Sequence, residues 1–337
     1  MVVDSKVHRK EISNMAEQQE ILVTMATNLR DILYDHMEKR ISSAGFKLNA
    51  VFSDTPLEDA KLKEKIKNAA GFIVSLEKVN DDLLKGAKNL KVVSKYGVGT
   101  DNIDLAAAES HGVEIANCPG SNSNAVAELV IGLMITMSRN TQNLCDRLRE
   151  GRWTTEVGFE IAGKRVGILG FGNIGRRVAK YLKPFTGDIL VYDVFVDRKA
   201  EGEYGVRYTS VDEIIETSDY ITLHLPLLPE TRHLIDKDSL ARMKKGVYLI
   251  NAARGGVVDE DALFDAVVSG RVAGAGVDAF EFEPPTASRM LKDERFIVLP
   301  HIGAATVEAS FNMVNMAIDN VLSVLAGKGN PHPVRMV

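Results

Sequence analysis

A chain of 337 residues and 36.9 kDa has room for about two domains at roughly 150 residues each. Hydrophobic residues make up 45% and charged residues 26%, which excludes an intrinsically disordered chain. The 41 Lys and Arg against 46 Asp and Glu leave a net charge of −5, which lacks the basic footprint of a general nucleic-acid binder.

Residues 1–19 are polar and aperiodic and read as an extension. From Glu20, short apolar runs alternate with amphipathic stretches. Ile21–Val23 reads as a strand, Leu29–Ser43 as a helix, Phe46–Phe52 as a strand, Asp59–Ala69 as a helix and Gly71–Val74 as a strand. Leu90–Ser94, Leu105–Ser110 and Val113–Ala116 continue as strand, helix and strand. A single long helix is expected over 124–149, where Ala125, Ala127, Leu129, Val130, Leu133, Met134 and Met137 are apolar over much of the surface. Such a helix is buried in a core or against a partner. A second series of strands is expected at Val166–Leu169, Ile189–Tyr192, Tyr220–Leu223, Val247–Ile250, Ala275–Val277 and Phe296–Leu299, followed by a helix at Val307–Leu325. Alternating strands and helices imply βαβ units and parallel sheets. No stretch approaches the ~18 apolar residues of a membrane span, and Met1–Glu20 lacks the apolar segment of a secretory leader. The two cysteines, Cys118 and Cys145, support neither a disulfide framework nor a metal site. The expectation is a cytoplasmic protein with no nucleic-acid or membrane partner.

Val166–Leu169 runs into Gly170-Phe171-Gly172-Asn173-Ile174-Gly175 and then into a helical stretch. This is the G-x-G-x-x-G turn that receives a pyrophosphate. Its first Gly makes the turn, its second lets the phosphates approach, and its third lets helix and strand pack. The helix N-terminus adds unpaired N–H donors. The next strand ends in Asp193, 18 residues past Gly175, near the position of the acid that bonds the ribose hydroxyls. A carboxylate there repels a 2′-phosphate, so NAD is expected over NADP.

In an open parallel sheet, ligands bind beyond the carboxyl ends of the strands. The polar residues at those ends are His224, Arg254, Asp278 and His301, with Glu283 in the loop after Asp278. An Arg fork suits a carboxylate. A His can give a proton to a carbonyl oxygen near neutral pH, and a neighbouring carboxylate raises its pKa and fixes its tautomer. Together these residues suggest hydride transfer coupled to proton transfer.

These motifs, in order, resemble the D-isomer-specific 2-hydroxyacid dehydrogenase family, especially its phosphoglycerate dehydrogenase-like branch. The similarity runs from about Glu20 to the C-terminus and takes in Lys95-Tyr96-Gly97-Val98-Gly99, Asn117-Cys118-Pro119-Gly120, His224-Leu225-Pro226 with Thr231, Asn251-Ala252-Ala253-Arg254-Gly255, Asp278–Glu283 and Pro300-His301-Ile302-Gly303. It implies two Rossmann-like or flavodoxin-like α/β domains with a cleft between them: a substrate domain of 20–117 plus 301–337 and an NAD-binding domain of 118–300. It further implies that Arg254 binds the substrate carboxylate and carbonyl oxygen, that His301 is the acid–base, and that Glu283 pairs with it. Asp278 would contact the nicotinamide carboxamide, and His224, Leu225, Pro226, Thr231, Ala252, Ala253 and Gly303 would line the cofactor. Lys95, Tyr96, Val98 and Gly99 would form the substrate loop, with the N–H groups of Val98 and Gly99 offered to the carboxylate. Ser94-Lys95-Tyr96 departs from the Gly-Arg-Ala of many phosphoglycerate dehydrogenases, which weakens the case for a phosphorylated substrate. The resemblance makes the helix at 124–149 a dimerisation helix, and it leaves the chain too short for a C-terminal regulatory domain. The leading function is a 3-phosphoglycerate dehydrogenase-like enzyme. The alternatives are a hydroxypyruvate or glyoxylate reductase, another D-2-hydroxyacid dehydrogenase, or, in a different class, a non-enzymatic NAD-sensing regulator.

Overall fold

The computed structural model describes residues 19–335, so the expected extension 1–19 lies outside the described residues apart from Gln19. Two compact units emerge, one up to Asn122 and from Thr306 onward, the other Ser123–Ala305.

The first unit is built on β1 (Glu20–Met25), β2 (Lys47–Phe52), β3 (Ala69–Val74), β4 (Val92–Lys95) and β5 (Glu114–Ala116). They pair in parallel in the order β2-β1-β3-β4-β5, the flavodoxin-like arrangement. The central strands are apolar on both faces because helices cover both: all six residues of β3 are buried. Leu62, Leu83 and Leu84 pack one side. Helix Val307–Leu325 packs against β3 and β4 together with helix Arg30–Ser43.

The second unit carries β6 (Val166–Leu169), β7 (Ile189–Tyr192), β8 (Arg207–Tyr208), β9 (Tyr220–Leu223), β10 (Val247–Asn251), β11 (Val272–Val277) and β12 (Phe296–Val298). The order is β12-β11-β10-β9-β6-β7-β8, again parallel. This is the Rossmann order with one strand added, and the topological switch point lies between β6 and β9. Val130, Leu133, Met134 and Val178 fill one side of the sheet. Ile214, Leu240, Leu263 and Val267 fill the other. The fold class is therefore the expected α/β pair of parallel sheets. No helix among the described residues is long and apolar enough to cross a membrane.

One expectation needs correction. The long helix at 124–149 is two helices, Ser123–Arg139 and Thr141–Arg149, broken at Asn140. Asn140 adopts a left-handed φ of 48°, which Asn tolerates better than most residues. Its side chain takes local bonds instead of sitting on a continuous helix, donating to Glu156 and accepting from Asn143. Most of the apolar surface of the first helix is accounted for within its own unit, where it packs on helix Asn173–Leu182, β10 and β11, and Ile135 stays exposed. The second helix buries no residue. The division between the units falls at 122/123 and 305/306, five residues beyond 117/118 and 300/301. The 117–121 segment is bonded into the first unit through Cys118 N–H to Gly97 O and Asn312 to Ser121 O. The loop bearing His301 is bonded into the second unit, on Asp278.

Candidate active site

The second unit gathers most of the candidate residues at the carboxyl ends of its strands. After β6, Gly170 takes a φ of +99° and lies so close to the end of β9 that a Cβ would sit 2.6 Å from the His224 carbonyl. Only glycine meets both conditions. At Gly172 a Cβ would meet nothing within 4 Å. Gly172 is also the N-cap of Asn173–Leu182, a ten-residue helix with no side-chain cap. Open space above an uncapped helix N-terminus fits a pyrophosphate. The Asp193 carboxylate at the end of β7 accepts the N–H of Phe171 at 2.7 Å and of Phe195 at 3.0 Å. It thus ties the glycine loop to the strand beside it, and its oxygens keep further lone pairs for ribose hydroxyls. His224 shares Nε2 with Thr222 Oγ1 at 3.0 Å, while its Nδ1 is buried without a partner. Burial pulls its pKa down to about 3, so the ring is neutral at pH 7. Leu225 and Ala253 are buried, Pro226 is exposed and Ala252 is half-buried. Thr231 Oγ1 donates to Pro226 O and accepts from Leu228 N–H, so it shapes the turn it sits in.

Around β10, β11 and the segment after β12 the structure brings Arg254, Asp278, Glu283 and His301 together. Asn251, at the end of β10, donates to Arg254 O and accepts from Ala253 N–H, which fixes the arginine loop. Arg254 Nη1 donates to Ala253 O. Asp278 is only 1% exposed, and its two oxygens accept the N–H groups of Ile302 and Gly303, both at 2.7 Å. Burial raises its pKa against those bonds. By these two bonds it holds His301, whose φ of 54° is left-handed and strained for a residue with a Cβ. His301 Nδ1 lies 2.9 and 3.0 Å from the two Glu283 oxygens. The carboxylate bond places the proton on Nδ1 and leaves Nε2 as the atom that can exchange one. His301's pKa is raised, chiefly by that hydrogen bond and against burial. For Glu283, burial pushes upward. The bond and charge of His301, the Phe280 N–H and the charge of Arg254 outweigh it and leave the pKa lowered. An imidazole and a carboxylate are thus paired with a cation acting on both.

In the first unit, Lys95 ends β4. Its Nζ donates to Ser75 O and, at 2.9 Å, to Asn102 Oδ1. Tyr96 is half-buried with its hydroxyl inside the fold, and burial pushes its pKa up to about 12. The carbonyls of Gly97 and Val98 accept from Cys118 N–H and Asn117 Nδ2, and the Val98 side chain is exposed.

Residues 131–303 match the model of the D-isomer specific 2-hydroxyacid dehydrogenase NAD-binding domain. A hydroxypyruvate reductase of Thermotoga maritima is 43% identical over 240 residues, 70% of this chain and 78% of that protein. The chain belongs to the D-isomer-specific 2-hydroxyacid dehydrogenase family. A D-3-phosphoglycerate dehydrogenase of Methanocaldococcus jannaschii is 38% identical over 286 residues, 84% of this chain and 55% of that protein. The chain spans about half the length of the phosphoglycerate dehydrogenases it matches. Among solved structures, a glyoxylate reductase from Paecilomyes thermophila aligns with a TM-score of 0.82 and 31% identity, covering 94% of this chain and 98% of that one. A D-lactate dehydrogenase from Aquifex aeolicus, complexed with NAD and lactic acid, aligns with a TM-score of 0.81 and 28% identity over 94% and 100%. The dinucleotide of this family domain is NAD, in keeping with Asp193. Sequence reasoning passed over Glu281 and His233, which brace the acid loop from outside. A third carboxylate two residues before Glu283 was the one signal available.

Proposed function

We propose that the chain interconverts a D-2-hydroxy acid and its 2-oxo acid with NAD, using Arg254, Glu283 and His301. The observation that carries this reading is the Glu283–His301 pair at 2.9–3.0 Å, beside Arg254 at the strand ends of an NAD-binding sheet. NAD(H), when bound, accepts or supplies the hydride. The chain's part is to bind, orient and move the proton. His301 Nε2 gives a proton to the carbonyl oxygen in reduction and removes it from the hydroxyl in oxidation. Glu283 stabilises the imidazolium between those events, and Arg254 offers a planar fork to the substrate carboxylate. The cofactor contacts assigned to Gly170–Gly175, Asp193, His224–Pro226, Thr231, Ala252, Ala253, Asp278 and Gly303, and the substrate contacts of Val98 and Gly99, are carried on the same proposal. A non-enzymatic NAD sensor stands as the alternative, and turnover of a 2-oxo acid separates the two.

Two substrate types stand within this reading. 3-Phosphoglycerate is favoured by similarity to phosphoglycerate dehydrogenases over 84–89% of the chain. A small unphosphorylated acid, such as hydroxypyruvate or glyoxylate, is favoured by Lys95, whose ammonium is bonded to Ser75 and Asn102 within its own unit. We take the unphosphorylated acid as the stronger. NADH consumption over a panel of 2-oxo acids, with and without a 3-phosphate, tests both points. Reduction of hydroxypyruvate or glyoxylate with higher kcat/KM than phosphohydroxypyruvate is expected. The reverse order removes the substrate choice, and no turnover of any acid removes the enzyme reading. An exposed free thiol at Cys145 suits a reducing cytoplasm. A homodimer is also proposed, carried by the exposed apolar side chains of Leu148, Trp153, Val157 and Phe159.

A further inference from the structure

Glu283 is set in the loop 278–285, and a loop alone does not hold a carboxylate to within a fraction of an ångström of its partner. Two residues earlier, Glu281 is bound from three directions. Its Oε1 accepts from His233 Nε2 at 2.6 Å and from Arg232 Nη2 at 3.3 Å. Its backbone N–H donates to Glu260 Oε1 at 2.6 Å. The segment that supplies His233 is itself fixed against the arginine loop, through His233 N–H to Gly256 O at 2.8 Å and Ile235 N–H to Val257 O at 3.1 Å. His233 takes a left-handed φ of 50° to present its ring. Such strain persists only where the surroundings over-determine it. The Phe280–Glu281 peptide also lies so close over Gly255 that a Cβ there would collide with it. The arginine loop, the 231–236 segment and the acid loop therefore form one braced body, and Glu281 is the side chain where they meet.

We infer that Glu281 is a positioning residue that ties the acid loop to Arg232 and His233 and thereby holds Glu283 against His301. The inference rests on the reading of Glu283 and His301 as the acid–base pair. Glu281 touches neither reacting atoms nor cofactor in this account; it acts through Glu283. The charges that act on His301 are those of Glu283, Asp278 and Arg254. Those around Glu283 include His301 and Arg254, and the pKa of the half-buried Glu260 is raised, chiefly by burial, against the Glu281 N–H bond and with the charges of Glu281, Asp261 and Glu283 adding to burial.

The test is an NMR titration of the His301 imidazole, alongside kcat and the KM for NADH, in Glu281→Ala, Glu283→Gln and the double variant. Glu281→Ala is expected to lower the His301 pKa and to cut kcat by about 10- to 100-fold, the scale of an ångström's misplacement. The KM for NADH should stay within about twofold, as expected for an effect confined to the chemical step. The double variant should shift the pKa no further than Glu283→Gln alone, because Glu281 works through Glu283. A His301 pKa unmoved in Glu281→Ala, with only the Tm falling, overturns the inference, as does a double shift equal to the sum of the single ones. If Glu281→Ala does not fold, His233→Asn, which tolerates the left-handed backbone, and Arg232→Ala remove the two partners singly. Both should lower the His301 pKa, and no movement in either is again contrary. If the protein reduces no 2-oxo acid yet the titration moves as stated, the enzymatic reading fails and the positioning contact stands.

Discussion

At the level of single residues, the site combines a strained backbone with a paired imidazole. His301 is held at a φ of 54° by two N–H bonds from its neighbours to one buried carboxylate, and its ring is held by another. The sign of the pH dependence follows. On the proposed roles, reduction needs protonated His301, whose pKa is raised by Glu283, so reductive kcat should persist above the ordinary histidine range and fall as pH rises through the raised pKa. Oxidation should gain over the same interval. Glu283→Gln keeps the shape and removes the charge, and the reductive limb should move to lower pH at nearly constant NADH affinity, read from pH–rate profiles and a binding titration. His301→Ala should lower kcat by about 10²–10⁴-fold, the range of a lost general acid. Arg254→Ala should raise KM for the 2-oxo acid as well, since its fork serves ground and transition states alike. An unmoved profile with most of kcat retained in His301→Ala would reassign these residues to scaffold.

The elements that carry these residues explain what the sequence makes legible. β6, β9 and helix Val307–Leu325 were readable to the residue because each is an uninterrupted apolar run or stripe bounded by turn residues. β8, two residues long, offers too short a pattern for any periodicity. The break at Asn140 is a single backbone dihedral that the helical periodicity runs through without a mark. The site divides in the same way. Gly170, Asp193, Arg254 and His301 stand directly at strand ends and follow from topology. The ties made by Glu281 and Asn102 join distant segments, and no spacing rule announces them. Asp193 links the end of β7 to the glycine loop through Phe171 N–H. Asp193→Ala should therefore weaken NADH binding and narrow the preference over NADPH, measured by fluorescence titration of both. Equal affinities in the unaltered protein would contradict the assignment. Gly170→Ala, forced to a positive φ and against the His224 carbonyl, should strain the turn by about 1–3 kcal/mol. That lowers Tm by several degrees at about 2–4 °C per kcal/mol and weakens NADH binding in the same preparation.

For the molecule as a whole, the expected ground for a dimer changes while the expectation is kept. The helix Ser123–Arg139 packs most of its apolar face on its own unit and leaves Ile135 exposed, so it carries only part of the argument for a partner. The stretch that follows carries the rest. Leu148, Trp153, Val157 and Phe159 are 53%, 82%, 99% and 55% exposed within a dozen residues. Arg147, Arg149, Arg152, Glu150 and Glu156 pair with nearby opposite charges in the same region. Large apolar side chains inside a polar rim mark an association surface. Mixed charges of both signs on one segment suit a self-complementary face, as a two-fold dimer requires. Sedimentation at micromolar concentration should give twice 36.9 kDa. Trp153 is the one tryptophan of the sequence, so its emission reports the surface directly. It should be blue-shifted and poorly quenched by acrylamide in the dimer, and should move to the red on dilution as the ring returns to water. Trp153→Ala should leave the NADH-binding fold intact, since the ring packs on little of its own chain, while Val157→Glu introduces a charge that a second copy would have to bury and should give a monomer. A mass near 36.9 kDa with red-shifted emission at every concentration would mean that 148–159 faces solvent and that two copies of this chain do not meet there.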